Sequence, residues 1–186
     1  MKNLSEKAQK IAVFLKGKSA GLFTNLALSD QKGEEKLIST IAECVLFQLR
    51  ERFTHPFQFR TELREILLFM KQVQDANEIP SLSPSRQSTL LRAIFGIEEG
   101  ILFSQLTQKF GIRRAAAKNL ALHWIPAVLW VLSKDLNGTN GLSEWLASLG
   151  VSRQWLFLNV DAILSVVPQM KTQEQVYSRS PQQEIK

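Results

Sequence analysis

The sequence predicts an all-α protein, and three observations support this. Apolar residues recur at three- and four-residue spacing, β-branched residues never alternate with polar ones over a strand's length, and six prolines and nine glycines interrupt 186 residues. An apolar fraction of 45% and a charged fraction of 22% are typical of a chain that buries a core. We expect eight or nine helices, packed as helical hairpins in two subdomains.

Two helices are predicted first along the chain. Residues 4–16 carry an apolar stripe at helical spacing, formed by Leu4, Ala8, Ile11, Ala12 and Leu15. A short apolar helix or turn at residues 21–28 separates this helix from a long one. The long helix begins near Glu34, because a carboxylate is favourable beside free backbone N–H groups, and it ends before Pro56. Its predicted buried face consists of Leu37, Ile38, Ile41, Val45 and Leu49.

A third helix and a linker complete the N-terminal half. Thr61 is expected to be the N-cap of a helix that buries Leu63, Ile66, Leu67, Met70 and Val73. Residues 80–87 contain two prolines and three serines, which is the composition of a linker. We therefore predict an N-terminal helical subdomain over residues 1–79 and a second subdomain over residues 88–168.

The second subdomain contains a repeated helical hairpin. Residues 101–114 and 141–153 share one pattern: a short helix, an apolar residue, a glycine, Ile or Val, and then polar or basic residues that open a longer helix. Gly111 and Gly150 fit the position after a helix end, where left-handed backbone favours glycine. The second long helix is expected to end at Pro168.

The residue types that carry enzyme chemistry are scarce. Cys44 is the one cysteine, which excludes an intramolecular disulfide and a cysteine-based zinc site, and its apolar setting predicts a core position. His55 and His123 are expected to be structural. The chain contains no HExxH, CxxC, glycine-rich phosphate loop or nucleophile elbow. We therefore predict that the protein is not an enzyme and uses no cofactor or metal.

A cytoplasmic location is expected from the hydropathy pattern. Residues 1–18 carry lysines throughout and lack the apolar core of a signal peptide. The longest apolar run, residues 120–132, is shorter than the roughly 20 residues that cross a membrane, so we interpret it as a central buried helix. Residues 169–186 lose the helical periodicity and are expected to be a disordered tail. Four tryptophans are expected to pack between the hairpins: Trp124, Trp130, Trp145 and Trp155.

Positive charge is concentrated in one part of the chain. Of the formal net charge of +6, residues 81–134 contribute +5, from seven basic and two acidic side chains, and no acidic residue lies between Glu99 and Asp135. The candidate residues for binding a protein or a nucleic acid are four cations of the first hairpin and one of the second: Lys109, Arg113, Arg114, Lys118 and Arg153.

The first hairpin, residues 101–120, also resembles a helix-turn-helix unit. Thr107 and Ala117 fill the small and apolar positions four residues before and six residues after Gly111. The start of the second helix has no acidic residue, which favours its entry into a DNA groove. Residues 115–117, however, are alanines, and their side chains cannot read base edges, which opposes DNA binding. Two functions remain open. We favour a non-catalytic protein-interaction or adaptor module, and the alternative is DNA binding through this hairpin. Membrane-surface association through the basic N-terminal helix is the least favoured, and the oligomeric state stays open.

Three short motifs in the second half occur together in one known type of domain. They are Phe110-Gly111-Ile112, an apolar helix that contains Pro126 and Leu129, and a connection over residues 137–142. From about residue 90 to residue 149 the chain thereby resembles the YidB-like bacterial domains of unknown function. The resemblance implies a bacterial helical module and supplies no catalytic residue. The chain departs from that pattern in lacking glycine-rich low-complexity stretches.

Overall fold

Helices form all the regular secondary structure in the computed structural model, which describes residues 2–16, 18, 31–56, 58–136 and 141–151. Those residues form one 3-10 helix, Gly96–Glu98, and seven α-helices. The α-helices are α1 (Lys2–Leu15), α2 (Gln31–Thr54), α3 (Arg60–Val73), α4 (Pro84–Phe95), α5 (Glu99–Phe110), α6 (Arg114–Lys134) and α7 (Gly141–Ser148). The prediction of an all-α chain is confirmed.

Helices α1 and α2 pack against each other along their predicted apolar faces. All the residues of both predicted stripes are buried, together with Ala42, Leu46 and Phe53 of α2. An ion pair between Lys16 and Glu35, 3.0 Å long, joins the two helices at the edge of this contact. The periodicity of apolar residues was therefore sufficient to identify which face of each helix is buried.

Helix α3 begins before the residue predicted to cap it. Phe59 is the N-cap, and its carbonyl accepts a hydrogen bond from the amide of Leu63 at 2.8 Å. The ring of Phe59 lies 4.4 Å below the guanidinium of Arg52, so packing against α2 determines where the helix starts. Thr61 lies inside the first turn, and its prediction as the N-cap is wrong. The predicted buried face of α3 is confirmed, with Phe69 added to it.

The segment predicted as a linker, residues 80–87, contains the first turn of α4. Ser83 is the N-cap, its hydroxyl accepts from the amide of Arg86 at 3.3 Å, and Pro84 takes the first helical position. Arg86 also forms a 2.8 Å ion pair with Glu65 of α3. The start of α4 is therefore attached to α3 by a charge pair as well as by the turn.

Helix α6 is the central element of the bundle, and α2, α3, α4 and α5 all pack against it. Its apolar stretch, residues 120–132, supplies most of its buried side chains, and the helix continues through Pro126. Among the residues that the structure covers, α6 is the one helix long and apolar enough to cross a membrane, and 61% of that window is buried in the bundle. Buried residues from all seven helices belong to one core, which includes Trp124, Trp130 and Trp145.

Several predictions fall outside the described residues. These are the short helix or turn at 21–28, the second long helix of the repeat with Arg153 and Trp155, and the tail at 169–186.

Candidate functional site: the α5–α6 hairpin and the adjoining cleft

The hairpin formed by α5 and α6 has the internal packing that its sequence pattern predicts. Gly111 ends α5 in the left-handed conformation, with φ 65° and ψ 18°, and its amide donates to the carbonyl of Thr107 at 2.9 Å. The core of the hairpin consists of Leu106, Ile112, Ala117 and Leu120, all buried. Gly150 after α7 also has a positive φ, 81°. The conformation predicted for both turn glycines is confirmed.

Four of the five candidate cations lie on this hairpin and are exposed. Lys109 is in the last turn of α5, Arg113 is the N-cap of α6, and Arg114 and Lys118 follow in its first two turns. The guanidinium of Arg114 lies 5.8 Å from the ring centroid of Phe103 on α5. The ion pairs found between described residues involve none of the four. Arg153, the fifth candidate, lies outside the described residues.

The N-terminus of α6 differs from those of the other helices after α1. Four of those helices carry a glutamate in the first turn, namely Glu34, Glu62, Glu99 and Glu144, and α4 has the Ser83 cap. Helix α6 has no acidic residue in its first turn, and no side chain in the described parts of the chain caps it. The first amides of a helix lack acceptors within the helix, so those of Arg114, Ala115 and Ala116 depend on water or an external anion.

A cleft of about 500 Å³ adjoins the hairpin, between α2 and α5. The side chains of Cys44 and Phe47 on α2 face those of Ile101 and Gln105 on α5, and Lys109 lies at the rim. The thiol of Cys44 donates to the Gln105 amide oxygen at 3.1 Å, and the Gln48 amide donates to the Glu98 carboxylate at 2.6 Å. The walls of the cleft are mainly apolar, and its rim is polar.

Two large apolar side chains of this cleft are exposed. Phe47 is 43% exposed and Ile101 is 58% exposed, and the adjacent Ile97 is fully exposed. The buried stripe of each helix, from which the core is predicted, does not include this surface. A signal was present: at 100° per residue, Phe47 points away from the stripe that contains Val45 and Leu49.

The thiol and the two imidazoles lie in three different settings. Cys44 is half-buried at the cleft rather than inside the core as predicted, and burial raises the pKa of its thiol to about 11, so it is mostly protonated at neutral pH. His123 is half-buried beside Trp124, and burial lowers the pKa of its imidazole. His55 is exposed at the end of α2. Within the described ranges, no group of three or more His, Cys, Asp or Glu side chains could hold a metal ion.

Comparison with known proteins does not assign the chain: no family model, curated protein or solved structure matches it. The hairpin and the cleft are therefore the two candidate functional surfaces. The hairpin offers a cluster of exposed cations around a helix N-terminus without a cap. The cleft offers exposed apolar side chains.

Proposed function

We propose that this protein is a non-catalytic adaptor module of a bacterial cytoplasm, which binds an acidic protein partner at the N-terminus of α6. One observation carries the proposal: in the described structure, α6 begins without a side-chain cap and without an acidic residue, and exposed cations surround this end. A negatively charged ligand is favoured at this end of α6 by the free amides and by the positive end of the helix dipole. The side chains of Arg113 and Lys118 favour the same negative charge. A carboxylate of the partner supplies that charge.

The strength expected for such a contact suits a reversible adaptor. A hydrogen bond to a charged group contributes about 1.5–3 kcal/mol, and a charge at a helix end adds about 0.3–1 kcal/mol. Two or three partner carboxylates at this surface are then sufficient for an interaction that strengthens at low salt. Arg114 takes a smaller part, because its guanidinium lies over Phe103.

The test is affinity capture from a nuclease-treated bacterial extract with three proteins: the wild type, Arg113→Ala/Lys118→Ala, and Lys71→Ala/Arg92→Ala. Lys71 and Arg92 are exposed cations on α3 and α4, so the second double variant makes the same change in net charge on another face. We expect a partner that the wild type and the control retain and that Arg113→Ala/Lys118→Ala loses. Equal retention by all three proteins would refute the proposed site.

DNA binding through residues 101–120 is the second candidate, favoured by the left-handed turn at Gly111 and by the cations beside it. Two features oppose it. Ala115 and Ala116 offer no groups to read bases, and most of α6 from Leu120 onward is buried, so little of the helix can enter a groove. Titration of labelled duplex DNA decides the matter. Affinity that falls steeply with salt and depends on Arg113 and Lys118 favours DNA, and absence of binding at low ionic strength excludes it.

The proposal also includes the finer organisation expected from the sequence. It comprises eight or nine helices, a division into subdomains at residues 80–87, a disordered tail after residue 168, and kinship with the YidB-like domains. The hairpin repeat supports the first of these, because α7 and Gly150 reproduce the start of the α5–α6 unit. A second long helix after residue 152 would bring the count to eight.

A further inference from the structure

The cleft between α2 and α5 carries opposite charges at its two ends. Cys44 of α2 donates to Gln105 of α5. One turn later in α2, Gln48 donates to Glu98, which precedes Gln105, so the two helices run antiparallel along the cleft. Glu98 lines one end of the cleft, and Lys109 lines the other end, about one turn beyond Gln105. Lys109 follows Glu98 by eleven residues, which is about 16 Å along a helix axis.

Both charged ends can accept a ligand. The ammonium of Lys109 forms no ion pair in the part of the chain that the structure describes. The Glu98 carboxylate accepts one hydrogen bond, from Gln48, whereas an ionised carboxylate has about four acceptor sites. Glu43 and Lys109 both act electrostatically on the Cys44 thiol, so the carboxylate of Glu43 offsets part of the positive charge at the Lys109 end.

The middle of the cleft is apolar and contains two amides. Phe47 and Ile101 are exposed on its walls, and Leu102 is buried behind them. The Gln48 amide keeps its oxygen and the Gln105 amide keeps its N–H groups for a ligand, because neither is bonded to another described residue. The volume of about 500 Å³ lies within the range of small-ligand sites. The cleft therefore combines apolar contact with a hydrogen-bond acceptor and donor between two opposite charges.

We propose that the α2–α5 cleft binds a free apolar peptide of three or four residues, with its α-amino group at Glu98 and its α-carboxylate at Lys109. A peptide supplies every matching feature: two opposite terminal charges, apolar side chains, and backbone N–H and C=O groups. The lengths agree, because three extended residues span up to about 11 Å and a hydrogen bond of about 3 Å at each end brings the total to about 17 Å. A fatty acid would use Lys109 alone and leave the Glu98 carboxylate beside an apolar tail.

This inference does not rest on the proposed adaptor function. Arg113 and Lys118, which carry that function, do not line the cleft. The variant Arg113→Ala/Lys118→Ala should therefore bind the peptide as the wild type does, so the two proposals fail or succeed separately.

The probe is the synthetic peptide trileucine, added to the isotope-labelled full-length protein while the amide signals are followed by NMR. Acetylation of its amine or amidation of its carboxylate removes one charged end, and triglycine keeps both ends without apolar side chains. We expect each blocked peptide to bind about tenfold more weakly than trileucine, because each loses a charge-assisted contact. Triglycine should bind more weakly by at least about tenfold, because it leaves the apolar walls uncovered.

Two variants assign the ends of the peptide. Lys109→Met should weaken the binding of trileucine about tenfold and abolish the effect of amidation, while acetylation still weakens binding. Glu98→Gln should abolish the effect of acetylation and keep that of amidation. Lys71→Met and Glu78→Gln make the same charge changes at exposed positions outside the cleft and should bind as the wild type does. Unchanged helix content and thermal midpoint confirm that each variant is folded.

Glu43→Gln should strengthen the binding of trileucine severalfold, because it removes a negative charge near the peptide carboxylate. Absence of shifts at the cleft residues with trileucine at millimolar concentration would overturn the proposal. So would blocking effects that are the same in Lys109→Met and Glu98→Gln as in the wild type. Sensitivity to amidation without sensitivity to acetylation would also overturn it, because that result would assign the cleft to the C-terminal tail of a protein.

Discussion

Replacing Arg113 with serine should stabilise the protein and weaken its interaction with a partner. The backbone of Arg113 has φ −66° and ψ 148°, nearly the same as that of Ser83, which has φ −62° and ψ 151° and caps α4. In Arg113→Ser the hydroxyl is therefore placed to accept from the amide of Ala116, as Ser83 accepts from that of Arg86. A cap of this kind contributes about 1 kcal/mol, so for a chain of this size the thermal midpoint should rise by about 2–4 °C.

The assay is thermal and urea unfolding of the wild type, Arg113→Ser and the reciprocal variant Ser83→Arg. Ser83→Arg should lose about as much free energy of unfolding as Arg113→Ser gains, because it removes the same bond from an equivalent backbone position. A loss in Ser83→Arg without a gain in Arg113→Ser would show that the end of α6 is already satisfied, and the reasoning would fail. A substitution that stabilises the fold and weakens binding is typical of a functional site.

Three further predictions test the packing. Gly111→Val should lower the free energy of unfolding by about 1–2 kcal/mol in urea unfolding; nothing lies within 4 Å of the added Cβ, so a Val variant as stable as the wild type would contradict the left-handed turn. Trp145→Ala should cost about 3–5 kcal/mol, because its ring is buried and lies 5.6 Å from that of Phe53; a much smaller cost would indicate that α7 is not docked on α2. The pKa of His123 is lowered by burial, so the unfolded chain binds more protons and stability falls as pH drops below about 6.5. His123→Phe should therefore lose less in thermal midpoint between about pH 8 and about pH 5.5 than the wild type, and equal losses would contradict this assignment.

The helices could be predicted from the sequence because their buried stripes are regular. Leu37, Ile41 and Val45 recur at helical spacing. Among regular structures, only a helix brings residues spaced by three or four positions onto one face, where all of them can be buried. The turn at Gly111 was also predictable, since glycine followed by an apolar and then basic residues is a local signal for a helix end. The preference of threonine for the N-cap position predicted the wrong start for α3 at Thr61. The packing of Phe59 under Arg52 determines where α3 begins.

The candidate site was predicted in part. The cations at 109–118 were identified from their charge and from the absence of acidic residues, and the structure places all four at the surface of one hairpin. The α2–α5 cleft was not identified, because it depends on how two helices distant in sequence approach each other. Phe47 and Ile101 meet across it although they are more than fifty residues apart, and periodicity within one helix contains no information about such a pair.

A site-resolved titration tests the central claim most directly. Hexaglutamate is added to the isotope-labelled full-length protein, and the amide signals are followed by NMR for the wild type and for Arg113→Ser. We predict that the largest shifts fall on the amides of Arg114, Ala115 and Ala116, that they shrink as salt rises, and that they are lost in Arg113→Ser, where the serine hydroxyl and the missing cation both weaken the site. Shifts that are spread evenly over the basic surface, or that persist unchanged in Arg113→Ser, would contradict an anion-binding site at the N-terminus of α6.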